Sequence, residues 1–172
     1  MEKGMDKITK TDRLFIDQVQ QLTSQTSVGA IVTIINSLLL SFVLWGLIPA
    51  YRIIIWFSSL LVISMIRLIL QKSYNAEISD IKMATKRKNF YLLFLTATGI
   101  VWGSVGIFLF PFDSIGHQTF IAFVLGGMIA GSVAIYSVFQ IAFLAYSLPV
   151  ALPVFASFLS INDQIHHATV GN

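Results

Sequence analysis

Residues 28–48 read VGAIVTIINSLLLSFVLWGLI: 21 positions without a single charge, closed by Pro49. A helix needs ~20 apolar residues to cross ~30 Å of hydrocarbon, and this run meets that length. Its few polar members, Asn36, Ser37 and Ser41 among them, are of the kind that bond to a neighbouring helix in lipid. Four further blocks repeat the pattern, at about 53–70, 90–110, 118–138 and 141–159. Pro111 closes the third, and a short turn from Phe112 to His117 follows it. Membrane strands would alternate apolar and polar residues over about ten positions. These blocks are continuously apolar and about twice that long. The expected fold is therefore all-α: a polytopic transmembrane bundle of about five spans.

Composition agrees. Charged residues make up 11% of the 172, hydrophobic residues 56%, and the mean hydropathy is +0.80. A soluble domain carries about 25% charged residues, so too few are present here to cover a water-facing surface. With no cysteine, disulfide scaffolds, thiolate zinc sites and thiol nucleophiles are excluded.

Nine of the eleven Lys and Arg fall in two blocks, Lys3 to Arg13 and Lys72 to Lys88. Neither is interleaved with aromatics, so nucleic acid is not an expected partner; the bilayer is. The positive-inside rule puts both blocks in the cytoplasm. Arg52 alone occupies the first turn, and the later turns hold no Lys or Arg. Five spans then place the C-terminus outside. Arg67, near the inner end of the second span, reads as an interfacial anchor, as does Trp56 near its outer end. The leader, residues 1–27, lacks the short basic start and cleavage site of a signal peptide, so the first span is expected to stay as an anchor. Within the leader, Leu14, Phe15, Ile16, Val19 and Leu22 share roughly one helical face. Two readings stand: a helix lying on the membrane surface, or an ordinary solvated helix.

Small residues suggest how the spans meet. Gly99 and Gly103 are four apart in the third span, and Gly127 and Gly131 in the fourth. Each pair lies on one helix face and lets backbones approach closely. The expectation is that spans three and four pack tightly together. A glycine-lined ligand cleft is the alternative use of the same residues. Pro149 and Pro153 each remove a backbone donor within the fifth span and are candidate kinks. No acidic residue lies in any span, which argues against proton- or cation-coupled transport. On the outward face, Asp113, His117, Asp163, His166 and His167 form a candidate pH- or metal-sensing group, although their spacing matches no established motif. Solvated side chains are the plainer reading there. No HExxH, GxSxG or phosphate-binding glycine loop is present, so neither an enzyme nor a cofactor is expected.

Several stretches together resemble a known architecture. They are Ile34-Ile-Asn-Ser-Leu-Leu-Leu, Arg67 followed by Tyr74, Gly99-Ile-Val-Trp-Gly and Phe110-Pro. To these are added His117-Gln-Thr-Phe-Ile-Ala-Phe-Val-Leu-Gly-Gly-Met-Ile-Ala-Gly, Leu148-Pro and Leu152-Pro. In order and spacing, over about residues 13–172, the chain resembles the multi-pass N-terminal membrane sensor domain that precedes GGDEF diguanylate cyclase domains and histidine kinases in bacteria. That resemblance implies a non-catalytic input module of the bacterial inner membrane, a homodimer in a full receptor, and a cytoplasmic output domain not contained in this chain. It also implies six spans. The tail, 160–172, would then be the start of a missing sixth span and the chain a truncated receptor. A small transporter or facilitator, or a structural or assembly protein, are the readings from other classes.

Overall fold

The computed structural model describes residues 9–73, 78 and 80–170, with side chains omitted at Ser73 and over 161–170. Lys3 and Lys7 of the leader's basic block, and Tyr74, lie outside the described residues. All named elements are helices: α1 Lys10–Ser24, α2 Thr26–Val43, α3 Ala50–Ser73, α4 Ile81–Gly103, α5 Val105–Phe108, α6 Ile115–Tyr136 and α7 Gln140–Val170. Five helical segments are long and apolar enough to cross a membrane, with α1–α2 and α4–α5 each counting as one. The fold is the expected all-α bundle.

Local chemistry sets the ends of several elements. Thr9 and Asp12 form a reciprocal capping box, the Asp12 carboxylate accepting from the Thr9 N–H at 2.8 Å. Gln25 joins α1 to α2 without leaving right-handed helical geometry. Gly46, at φ +87°, makes the turn into Pro49 that ends the first span. A side chain is strained there, which is the use of glycine at such a turn.

The leader helix differs from both readings of its sequence. Leu14 stays exposed, but Ile16, Val19 and Leu22 of the same apolar face are buried against protein. Ile16 and Val19 pack with Ile78, just before α4, and Ala84 in its first turn, and Phe15 meets Phe139 edge to face. A short amphipathic helix is best buried against protein when a neighbouring helix extends past the membrane beside it.

The five spans close into a ring. α2 packs on α3, α3 on α4, α4 on α7, α7 on α6, and α6 returns to α2. The α4–α7 contact is the most extensive and the α6–α2 contact the loosest. Expected pairing between the third and fourth spans is thus not what forms: α7 stands between α4 and α6. Gly99, Gly103 and Gly106 do sit at a close helix approach, but their partner is α7. A β-carbon on Gly99 would lie 2.6 Å from the Tyr146 carbonyl oxygen, and one on Gly106 2.8 Å from Val154 Cα. One on Gly103 would overlap the Pro149 carbonyl oxygen. That oxygen has lost its usual donor four residues on, because residue 153 is proline. The bare glycine surface lets the third span approach it. Gly127 and Gly131 have nothing within 4 Å of where a β-carbon would be.

The ring is filled by Trp102, Trp56, Leu60, Leu95, Val105, Ile121 and Val150. Trp56 and Trp102 stand edge to face at 5.2 Å, and Trp56 Nε1 donates to the Val101 carbonyl at 2.7 Å. Outside the ring the pattern inverts: Phe42 is 82% exposed and Phe123 80%, within a belt of exposed Ile, Leu, Val and Phe. An apolar belt on every face has no place in water and is what hydrocarbon covers.

α7 runs through both Pro149 and Pro153 and continues to Val170. The tail therefore prolongs the fifth helix instead of opening a new one. Residues 154–170 contain no glycine or proline to stop it.

Candidate functional site

Arg67 and Trp56 were both expected at the membrane interface, and both stand inside the ring. Arg67 lies on α3, four residues before Gln71, and is 5% exposed. It does not extend to the polar boundary but turns into the ring. Its guanidinium donates to Tyr91 Oη at 3.4 Å and sits 5.3 Å from the Tyr91 ring centroid. Among the described residues it has no carboxylate partner, and its Nε is buried with no acceptor. Five donors in a planar fork are thus served by one long hydrogen bond and an aromatic face. An arginine at membrane depth costs up to about 3 kcal/mol on insertion scales, which makes a buried one a candidate site.

Tyrosines from three helices surround it. Tyr91 and Tyr136 have centroids 6.5 Å apart, and Tyr136 and Tyr146 5.9 Å apart, both edge to face. The Tyr146 hydroxyl is buried with no hydrogen-bond partner. Gly29 on α2 leaves room for this cluster, its would-be β-carbon lying 3.6 Å from Tyr136 Oη.

Two cavities meet at Arg67. The first, about 240 Å³, has a polar rim of Gln20, Thr23, Ser24, Thr26, Gln71 and Arg87. The second, about 430 Å³, runs along the α2–α6 seam between apolar walls that include Val32, Leu39, Phe120, Phe123 and Ile135. Gly127 and Gly131 line it, so these two glycines open a cleft where a helix contact was expected. Tyr146 reaches the same cavity. No Asp or Glu lines either cavity among the described residues.

The remaining sequence candidates fall elsewhere. Asn36 donates to the Val32 carbonyl at 3.0 Å and reaches Met128 Sδ on α6 at 3.3 Å, which ties the seam at mid-depth. Pro149 and Pro153 face the glycines of α4 and α5. Asp113 is exposed, and His117 Nδ1 is 2.6 Å from Ser114 Oγ. The side chains of Asp163, His166 and His167 lie outside the described residues. Among those that are described, no three His, Cys, Asp or Glu side chains come together as a metal site.

Fold and site together define a polytopic α-helical membrane protein that holds a cationic side chain inside its helix ring. No protein-family model, no curated protein and no solved structure matches the chain.

Proposed function

We propose that the chain is the membrane-embedded sensory or input module of a bacterial signalling protein, of the diguanylate cyclase or histidine kinase type. It recognises a ligand and performs no chemistry itself. The observation that carries this reading is Arg67: a buried cation with one long hydrogen bond, placed where two cavities meet on the loosest seam of the ring. A ligand seated there touches α2, α3 and α6 at once and favours the packing in which they close around it. α7 contacts both α4 and α6, so a change at the seam reaches it directly. Such a ligand shifts the balance only by its differential affinity, and a tenfold difference corresponds to about 1.4 kcal/mol. The basic leader and the Lys82–Lys88 segment support placing that end of the bundle in the cytoplasm of the inner membrane. In a complete receptor the module acts as a homodimer above a cytoplasmic output domain.

The test uses the absence of native cysteine. Cysteines at Ile35 on α2 and Val133 on α6, both exposed, accept spin labels across the seam. An input module shows two distance populations in nanodiscs, and total lipid or soluble extract moves weight between them. One narrow population, unmoved by either extract and by Arg67→Gln, sinks the reading. Substrate flux in proteoliposomes would favour a facilitator in its place.

A further inference from the structure

Three features of the Arg67 site constrain what fits it. The first is depth. Arg67 precedes Gln71 by four residues, about 6 Å along a helix, with Leu68, Ile69 and Leu70 between. That is just below the polar boundary, where lipid headgroups end. The second is charge. Arg67 Nε, where the two cavities meet, and Tyr146 Oη, on the second cavity, are buried donors without acceptors, and no carboxylate lines either cavity among the described residues. The site calls for an anion. The third is shape. From Arg67 the apolar cleft follows α2 from Gly29 to Leu39, about 15 Å at 1.5 Å per residue. One leaflet of a bilayer is about as deep. The cleft lies on a seam of the ring whose outer surface is apolar, with Phe123 80% exposed beside it. Its occupant enters sideways from hydrocarbon.

A polar cationic pocket joined to an apolar slot one leaflet long is the negative of an amphiphile. We propose that the α2–α6 cleft binds one anionic phospholipid of the adjoining leaflet, its phosphate on Arg67 and one acyl chain along Gly127 and Gly131. This inference rests on reading the ring as an input module and names that module's ligand class. The two glycines are the steric part of the site. Neither has a protein atom within 4 Å of a would-be β-carbon, so the space over them is available to a chain.

The full chain, purified in mild detergent, is titrated with phosphatidylglycerol and with phosphatidylcholine of the same acyl chains, and bound lipid is counted by native mass spectrometry. The expected result is at least about a tenfold preference for the anionic lipid, because phosphatidylcholine brings the same phosphate with a fixed cation beside it that offsets its charge and is repelled by Arg67; tenfold corresponds to about 1.4 kcal/mol. Arg67→Gln abolishes the preference. Gly127→Leu, which fills the cleft, removes the bound lipid. Gly126→Leu is the matched control: it too has open space around it, but it does not line the cleft. It keeps both lipid and preference. Equal binding of the two lipids, or a preference that survives Arg67→Gln or Gly127→Leu, overturns the proposal. So does inorganic phosphate that raises the melting temperature through Arg67 yet ignores Gly127→Leu. That last result leaves the input reading standing with a water-soluble anion as its ligand, whereas a single rigid seam in the spin-label experiment removes the input reading itself.

Discussion

Gly106→Ala places a β-carbon 2.8 Å from Val154 Cα and 2.9 Å from Val154 N, both backbone atoms that no rotamer change can move. Carbon pairs settle at about 3.5 Å or more, so α7 must retreat by about 0.7 Å. The same retreat stretches the hydrogen bond from Ser157 Oγ to the Gly106 carbonyl, now 2.5 Å, to about 3.2 Å, beyond the usual O–H···O range. Overpacking of this kind costs about 1 to 3 kcal/mol, and the weakened bond adds about 1. Gly106→Ala should therefore destabilise the protein by about 2 to 4 kcal/mol. Gly103→Ala, whose β-carbon overlaps a carbonyl oxygen, should be at least as severe. Gly131→Ala has open space and should lie within about 1 kcal/mol of the parent, on the stabilising side if the helix propensity gain is felt. Reversible unfolding in mixed micelles, followed by tryptophan fluorescence, compares the three. Equal losses for Gly106→Ala and Gly131→Ala, or no loss for Gly103→Ala, would refute the assignment of α7 as the glycine partner.

Three further outcomes follow from the same contacts. Arg67→Leu removes a buried charge that has no carboxylate partner among the described residues and should leave stability unchanged or raise it, by up to about 3 kcal/mol; a loss of more than about 1 kcal/mol on unfolding would mean that Arg67 holds the ring together. Trp56→Phe deletes the indole bond to the Val101 carbonyl and weakens the edge-to-face pair with Trp102, for an expected cost of about 1 to 3 kcal/mol and a change in near-ultraviolet circular dichroism. Ser157→Ala removes its bonds to the Gly106 and Pro153 carbonyls and should cost about 1 kcal/mol in the same unfolding assay, with no effect expected from Ser160→Ala, whose bond is exposed and local.

The spans were legible because length and continuous apolarity are one-dimensional properties. Which spans touch is not. Gly99 and Gly103 announce that something comes close, but a face without side chains carries no information about its partner. Only the order of helices around the ring shows that α7 takes the place expected of α6. Gly127 and Gly131 have the same spacing and border empty space, so an identical motif served two opposite ends. Arg67 was misread for a related reason. Near the end of a span an arginine either extends outward or turns inward, and the choice depends on rotation of the helix about its axis. α3 is apolar on all sides, with Ile54, Val62 and Ile69 exposed as well as Ile53 and Leu60 buried, so its pattern does not fix that rotation. The one available signal was Leu68-Ile69-Leu70, three apolar residues separating the charge from the first polar neighbour.

The ring order has a consequence for biosynthesis. Chains emerge N-terminus first, so α6 is made and handed to the bilayer before α7 exists. Until then the bare backbone of Gly99, Gly103 and Gly106 faces lipid, and the future neighbours α4 and α6 have no helix between them. α7 is thus a wedge that enters between two spans made before it. A nascent chain stalled before α7 would leave that glycine groove open to lipid, without the helix that covers it in the folded ring.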